Sequence, residues 1–164
     1  MTGPAKIGFI SYAHDDERMF VAFKEHLKPV RMQFPAIDIW DDTDIPPGAL
    51  WEQTILERIA RAELLILLVS PKFIYSDFIF KKEIPVIKQR RIDGALVLPV
   101  ILRPCAYGVA CEEVQAMPTV KGKLKPVGKW TPHSDGFDHV RKQISAGIQG
   151  HFGLIPVPSG MSVT

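Results

Sequence analysis

The stretch SDFIFKKEIPVIKQ (76–89) contains an acid in an unusual place. Read as a helix capped by Ser76, it sets Glu83 beside Ile79, Phe80, Val86 and Ile87, three and four positions away. Lys81 and Lys88 fall near the opposite face. A buried carboxylate with no partner is costly. Glu83 therefore either meets a lysine, an arginine or backbone donors inside the fold, or it stands in a pocket and meets a substrate. Pro85, two residues on, has no N–H and carries a ring that an uninterrupted helix accommodates badly. The helix is expected to bend or end just past the acid.

Other chemistries of α/β chains can be tested against their motifs. The turn after the first apolar run reads SYAHDDER (11–18) and holds no glycine, which excludes a dinucleotide fingerprint. No Gly-Lys-Ser/Thr follows a strand, which excludes a triphosphate-binding loop. Asp15 and Asp16 suit the acid pair of a phospho-acceptor domain, but the third apolar run ends LLVSP, with Ser70 where the acceptor aspartate belongs. They read instead as acids of a helix's first turn. The segment WDDTDIPPGALW (40–51) is either a stiff connection or a rigid lid, and its residues leave both open. Trp40 and Trp51 read as packing residues before stacking platforms. Four lysines in KGKLKPVGK (121–129), without interleaved aromatics, read as solvated surface rather than a nucleic-acid site. The five histidines show no metal spacing, although His14 lies at the carboxyl end of a strand. Cys105 and Cys111 make neither a disulfide framework nor a zinc site and fit a reducing cytoplasm, the expected location. No metal or resident cofactor is expected.

The elements that must position Glu83 alternate regularly. Buried or half-buried strands are read at 6–13, 36–42, 63–70 and 95–105, with a weaker fifth at KPVGKW (125–130). Helices are read at 15–30, 49–62, 76–89 and from DGFDHV onward, where Phe137, Val140, Ile144 and Ile148 form one stripe. Pro99 marks a bulge or an end of the fourth strand. Repeated strand–helix alternation predicts a mostly parallel sheet covered on both faces, with its site beyond the carboxyl ends of the strands. A hydrophobic fraction of 46%, a charged fraction of 23% and a net charge of +2 fit one globular domain and argue against nucleic-acid or acidic-membrane partners. No apolar run approaches the ~18 residues of a membrane span. After residue 150 the periodicity stops, so 1–150 is expected to be the domain and 151–164 a tail or linker.

Together, GFISYAHDD, WDDTDIPPGALWEQTILERIARAELLILLVSPKFIYSDF, FKKEIPV and LPVILRPC resemble a TIR domain of the prokaryotic type, over about residues 5–150. The resemblance implies a flavodoxin-like fold, with a five-stranded parallel sheet in the order 2-1-3-4-5. It implies an NAD+ hydrolase or cyclase of an anti-phage defence system, with NAD+ as substrate and Glu83 as the catalytic acid. Substrate would lie against Ser11, Tyr12 and His14 at the first strand's end, Asp41 at the second's, Leu50 and Trp51 after the loop, and Ile79 and Phe80 before the acid. Asp44, Ile45, Pro46, Pro47 and Gly48 would form the mobile loop that governs assembly with other TIR domains. A cyclic-nucleotide-sensing module, in this chain or a partner, would supply the activating cue. Two departures stand out. Some catalytic members carry basic residues just after the first-strand tyrosine, where this chain has Ala13 and His14, and many carry tryptophan where this chain has Ile79. The alternative that the resemblance leaves is a TIR scaffold or host-adaptor-binding virulence factor with no chemistry.

Overall fold

The computed structural model describes residues 5–111 and 113–158. Four strands, β1 (Lys6–Ser11), β2 (Ile37–Trp40), β3 (Leu64–Val69) and β4 (Leu96–Ile101), form a parallel sheet in the order β2-β1-β3-β4. The central strand LLILLV is buried along its whole length because both faces are covered. Its alternate residues serve two cores. Leu64, Ile66 and Leu68 pack with α1 (Glu17–Gln33) and α6 (His133–Phe152). Leu65, Leu67 and Val69 pack on the other face with α2 (Trp51–Arg61), α3 (Pro71–Tyr75), α4 (Ile84–Ile92) and the short α5 (Gly108–Cys111). The helical stripes read from the sequence, Phe20, Phe23, Leu27 and Val30 on α1 and Phe137, Val140, Ile144 and Ile148 on α6, meet in the first core. The fold is the three-layer α/β arrangement of flavodoxin-like proteins.

The fifth strand is not where the sequence placed it. Val127–Lys129 is a short 3-10 turn. Pro126 supplies no ladder donor there, and the chain bends so that Gly128 N–H reaches the Leu102 carbonyl at 2.8 Å. Among the described residues Met117 alone extends the sheet beyond β4, donating to the Pro99 carbonyl at 2.9 Å and accepting from Ile101 N–H at 2.8 Å. A small antiparallel hairpin follows, β5 (Thr119–Val120) with β6 (Lys123–Leu124). Pro99 neither bulges nor ends β4. It faces Leu67 in mid-strand, and its missing donor falls on the outer side, the side to which Ile101 N–H points two residues later.

The segment after β3 is divided. Ser70 accepts from Phe73 N–H and caps the short α3, while Ser76 accepts from Ile79 N–H at 3.3 Å and caps the next helix. That helix spans 77–92 and does not stay an α-helix. Ile79–Glu83 form a π-turn, closed by Ile84 N–H to the Ile79 carbonyl, with Pro85 just beyond. The expected distortion therefore lies before the acid and includes it, and the helix runs on to Ile92. At the far end, α6 continues two residues past 150 to Phe152 and closes on Gly153 at φ +65°. Val157 N–H then bonds the Gln33 carbonyl at the end of α1, 2.9 Å away. Residues 159–164 of the expected tail lie outside the described residues, as do 1–4 and 112. Among the described residues no helix is long and apolar enough to cross a membrane.

Candidate active site

The sheet's order reverses direction between β1 and β3, and a cavity of about 430 Å³ opens there, beyond the carboxyl end of β1. Ser11, Tyr12, Ala13 and His14 enter it from β1 and the turn that follows. Trp51 and Ile55 come from α2, Lys72 and Tyr75 from α3, and Phe78, Ile79 and Glu83 from the distorted helix.

Glu83 is 4% exposed and faces this cavity. Its partner is neither lysine nor arginine. The Ser11 hydroxyl donates to Glu83 Oε1 at 2.8 Å, and the second carboxylate oxygen makes no hydrogen bond among the described residues. The neighbouring lysines are engaged elsewhere, Lys81 with Asp77 at 3.6 Å and Lys82 with Glu52 at 3.3 Å. Burial pushes the Glu83 carboxyl up from 4.5 to about 7, with Asp42 adding to the rise, while the Ser11 bond and His14 pull the other way. A carboxyl of this kind changes charge near neutrality.

The π-turn explains which side chains share the acid's face. In an uninterrupted α-helix Phe80 would lie beside Glu83. The wider turn inserts one residue into the register, an angular step of about 100°. Phe78 and Ile79 line the cavity, and Phe80 lies outside it, 40% exposed. Phe78 in turn packs against Trp51, ring centroids 5.1 Å apart.

The two acids after the second strand take different places, and Asp41, the one expected at the substrate, is not at the cavity. Asp41 is fully buried and outside the cavity lining. It accepts from Thr43 N–H at 2.8 Å and from the Thr43 hydroxyl, and the Lys24 ammonium lies 2.9 Å away. Asp44 returns the favour by accepting from Asp41 N–H at 2.9 Å, which completes a capping box around the 3-10 turn Asp42–Asp44. Burial works to raise the Asp41 pKa, but the Thr43 bonds and Lys24 outweigh it and hold the carboxyl below its ordinary value. Asp42 is the acid at the cavity. It accepts from the Tyr12 hydroxyl at 2.9 Å and pairs with His14 Nε2 at 2.7 Å. Burial, then the Asp42 bond, push the Tyr12 phenol well above its ordinary value, and its ring stacks on Phe20 at 3.8 Å. Of the Asp41–Asp42 pair, the member expected at the substrate is the one that does not line the cavity. Only the position of the cap, Asp41 with Thr43 two residues on, could have separated them.

The loop that follows is ordered by turn chemistry. Ala49 N–H bonds the Pro46 carbonyl at 3.2 Å, and Gly48 stands at φ +88° in the position of that turn that favours glycine. Pro46, Pro47, Gly48, Ala49 and Leu50 are all exposed, and Ile45 packs inward. Leu50, 70% exposed at the start of α2, lies outside the cavity lining, whereas Trp51 is part of it. Arg58 of α2 lies over the Trp40 ring at 4.3 Å and donates to the Asp44 carbonyl at 3.3 Å, tying the loop's base to the helix.

A doubly wound parallel sheet with a cleft at its switch point, holding one buried acid without a cationic partner, defines a flavodoxin-like domain built around a candidate carboxylate site. A family model of the TIR domain matches residues 9–146, and the chain belongs to the TIR family. It is also 30% identical over 138 residues to an uncharacterized protein of Sinorhizobium fredii, y4lF. That alignment covers 83% of this chain and 42% of the relative, so the chain spans less than half the length of the protein it matches.

Proposed function

We propose that this TIR domain is an NAD+ glycohydrolase of a prokaryotic anti-phage defence system, with Glu83 as its catalytic carboxylate. One observation carries the reading: Glu83 is buried, has no cationic partner among the described residues, and faces a cavity. A carboxylate kept for stability would be paired. The chemistry suits a single acid. Most glycoside hydrolyses need a second carboxyl to protonate a poor leaving group. Nicotinamide in NAD+ is already a cation and takes the electron pair of the breaking ribosyl–nitrogen bond, leaving neutral. Positive charge then grows at the anomeric carbon. Ionised Glu83 stabilises it, more strongly in a partly dry cavity than in water. Water adds to the ribosyl cation and releases a proton, giving ADP-ribose; an internal nucleophile in its place gives a cyclic product. Ser11 orients one carboxylate oxygen and leaves the other for the ribose. Phe78, Ile79 and Trp51 offer apolar walls to the pyridine ring.

Activation follows assembly of TIR domains through the loop 44–48, whose Pro46, Pro47 and Gly48 are exposed. The loop and the acid's helix touch through an exposed ion pair, Glu52 just beyond the loop with Lys82 next to the acid. The defence role and a sensor module elsewhere rest on the resemblance to prokaryotic effectors. The test is nicotinamide release from NAD+ at high protein concentration or with a crowding agent. Glu83→Gln should abolish it while the variant keeps its fold. Nicotinamide release undiminished in that variant would sink the assignment, and a silent Glu83→Ala with assembly lost on loop substitutions would favour the scaffold.

A further inference from the structure

The proposed substrate carries two negative charges on its pyrophosphate, and this cavity is poor in positive charge. Among the described residues its lining holds three acids, Asp15, Asp42 and Glu83, against His14, which Asp42 already engages, and one lysine, Lys72. Lys72 stands on α3, with its side chain 65% exposed at the rim. Its ammonium lies 3.9 Å from Asp15 Oδ2, a contact that joins the turn after β1 to the segment after β3. At that distance, with both groups wet, the pair is loose and is readily exchanged for a stronger one. The pyrophosphate as a whole offers more charge and more acceptor oxygens than one carboxylate.

The geometry points to Lys72 as the residue that selects a pyrophosphate-bearing substrate, with Asp15 as a resident counterion that the substrate displaces. This rests on the proposed glycohydrolase reading of the same cavity. The nicotinamide riboside half goes inward to Ser11 and Glu83, and the phosphates stay at the rim, where Lys72 leaves Asp15 to meet them. Asp15 thereby sets a threshold: it competes with anionic ligands and leaves neutral-tailed ones unaffected.

The test uses Glu83→Gln protein, which holds ligand without consuming it, and measures binding of NAD+ and of nicotinamide riboside by calorimetry or NMR titration. Adding Lys72→Gln should lower the ratio of NAD+ to nicotinamide riboside affinity about tenfold. Adding Asp15→Asn should raise that ratio several-fold, and raising salt should shrink both effects. If both ligands bind and neither substitution moves the ratio, the assignment of Lys72 and Asp15 is overturned while the glycohydrolase reading stands. If neither ligand binds to the Glu83→Gln protein, both fall together.

Discussion

Replacing Glu83 by Gln should make the protein more stable above neutrality and leave it unchanged in acid. The folded state holds the Glu83 carboxyl at about 7, against 4.5 for the ordinary group, because burial disfavours the charged form. The native state therefore binds more protons than the unfolded chain between those values, and stability falls as pH rises through them. At about 1.4 kcal/mol for each tenfold in the proton equilibrium, ionised Glu83 costs about 3 kcal/mol above pH 7. Glutamine has the same shape, accepts the Ser11 hydroxyl bond, and never ionises. For a chain of this size about 3 kcal/mol is a rise in Tm of about 6–12 °C. Melts followed by circular dichroism at pH 8 and pH 4.5 separate the cases: a large gain at the first, almost none at the second. A loss of stability at pH 8 would refute the reasoning, since it would mean that ionised Glu83 has a stabilising partner. So would a gain of equal size at both pH values, which would trace the effect to packing rather than charge.

The same chemistry predicts the activity profile, in which kcat/KM for nicotinamide release rises with pH through about 7 as free-enzyme Glu83 ionises. Ser11→Ala removes the hydrogen bond that favours the carboxylate, so the acid limb should move to higher pH, and an unmoved limb would detach Ser11 from the acid. Asp41→Ala removes both Thr43 bonds and strips Lys24 of its partner, at a cost of about 2 kcal/mol in urea unfolding. Because the folded state holds Asp41 below its ordinary value, its contribution is present above about pH 4 and is lost as pH falls below that. The penalty of Asp41→Ala should shrink in acid. Gly48→Ala meets no steric neighbour but places a Cβ at φ +88°, which costs about 1 kcal/mol and should loosen the turn that presents the loop. Sedimentation at high concentration would show whether self-association weakens with it.

Which features were legible in the sequence follows from how local their causes are. LLILLV could be read as a doubly covered strand because burial on both faces needs only short apolar runs, and the structure buries every residue of it. The stripes of α1 and α6 were legible for the same reason, one residue type at one period. The edge of the sheet was not. KPVGKW reads as a weak strand, but Pro126 opens a 3-10 turn whose Gly128 N–H reaches the Leu102 carbonyl just past β4, and that turn replaces a ladder. Nor could spacing sort Asp41 from Asp42. Adjacent acids differ only in what the three-dimensional turn does with them, and Lys24, which anchors Asp41, is distant in sequence. Phe80 was misplaced because the helical wheel assumes one hydrogen-bond register throughout, and the π-turn breaks it just ahead of the acid.

That break and Pro85 belong to one constraint. In a regular α-helix the residue at 85 would donate to the carbonyl of Lys81, and a proline there withholds the donor and presses its ring on that carbonyl. A wide turn immediately before it, closed by Ile84 N–H on the Ile79 carbonyl, lets the helix pass the proline and continue to Ile92. Wide turns are rare because they loosen the backbone's packing around its axis. This one is placed where its geometric consequence is largest, at the residues that decide whether Glu83 shares a face with Phe78 or with Phe80. Had the helix been regular, the acid's wall would include a ring that is instead 40% exposed. The sequence that looked like a helix with a buried acid and a misplaced proline is better understood as one device. The proline favours the wide turn, the wide turn aims the acid, and the acid's unfavourable burial is what gives it a carboxyl that titrates near neutrality.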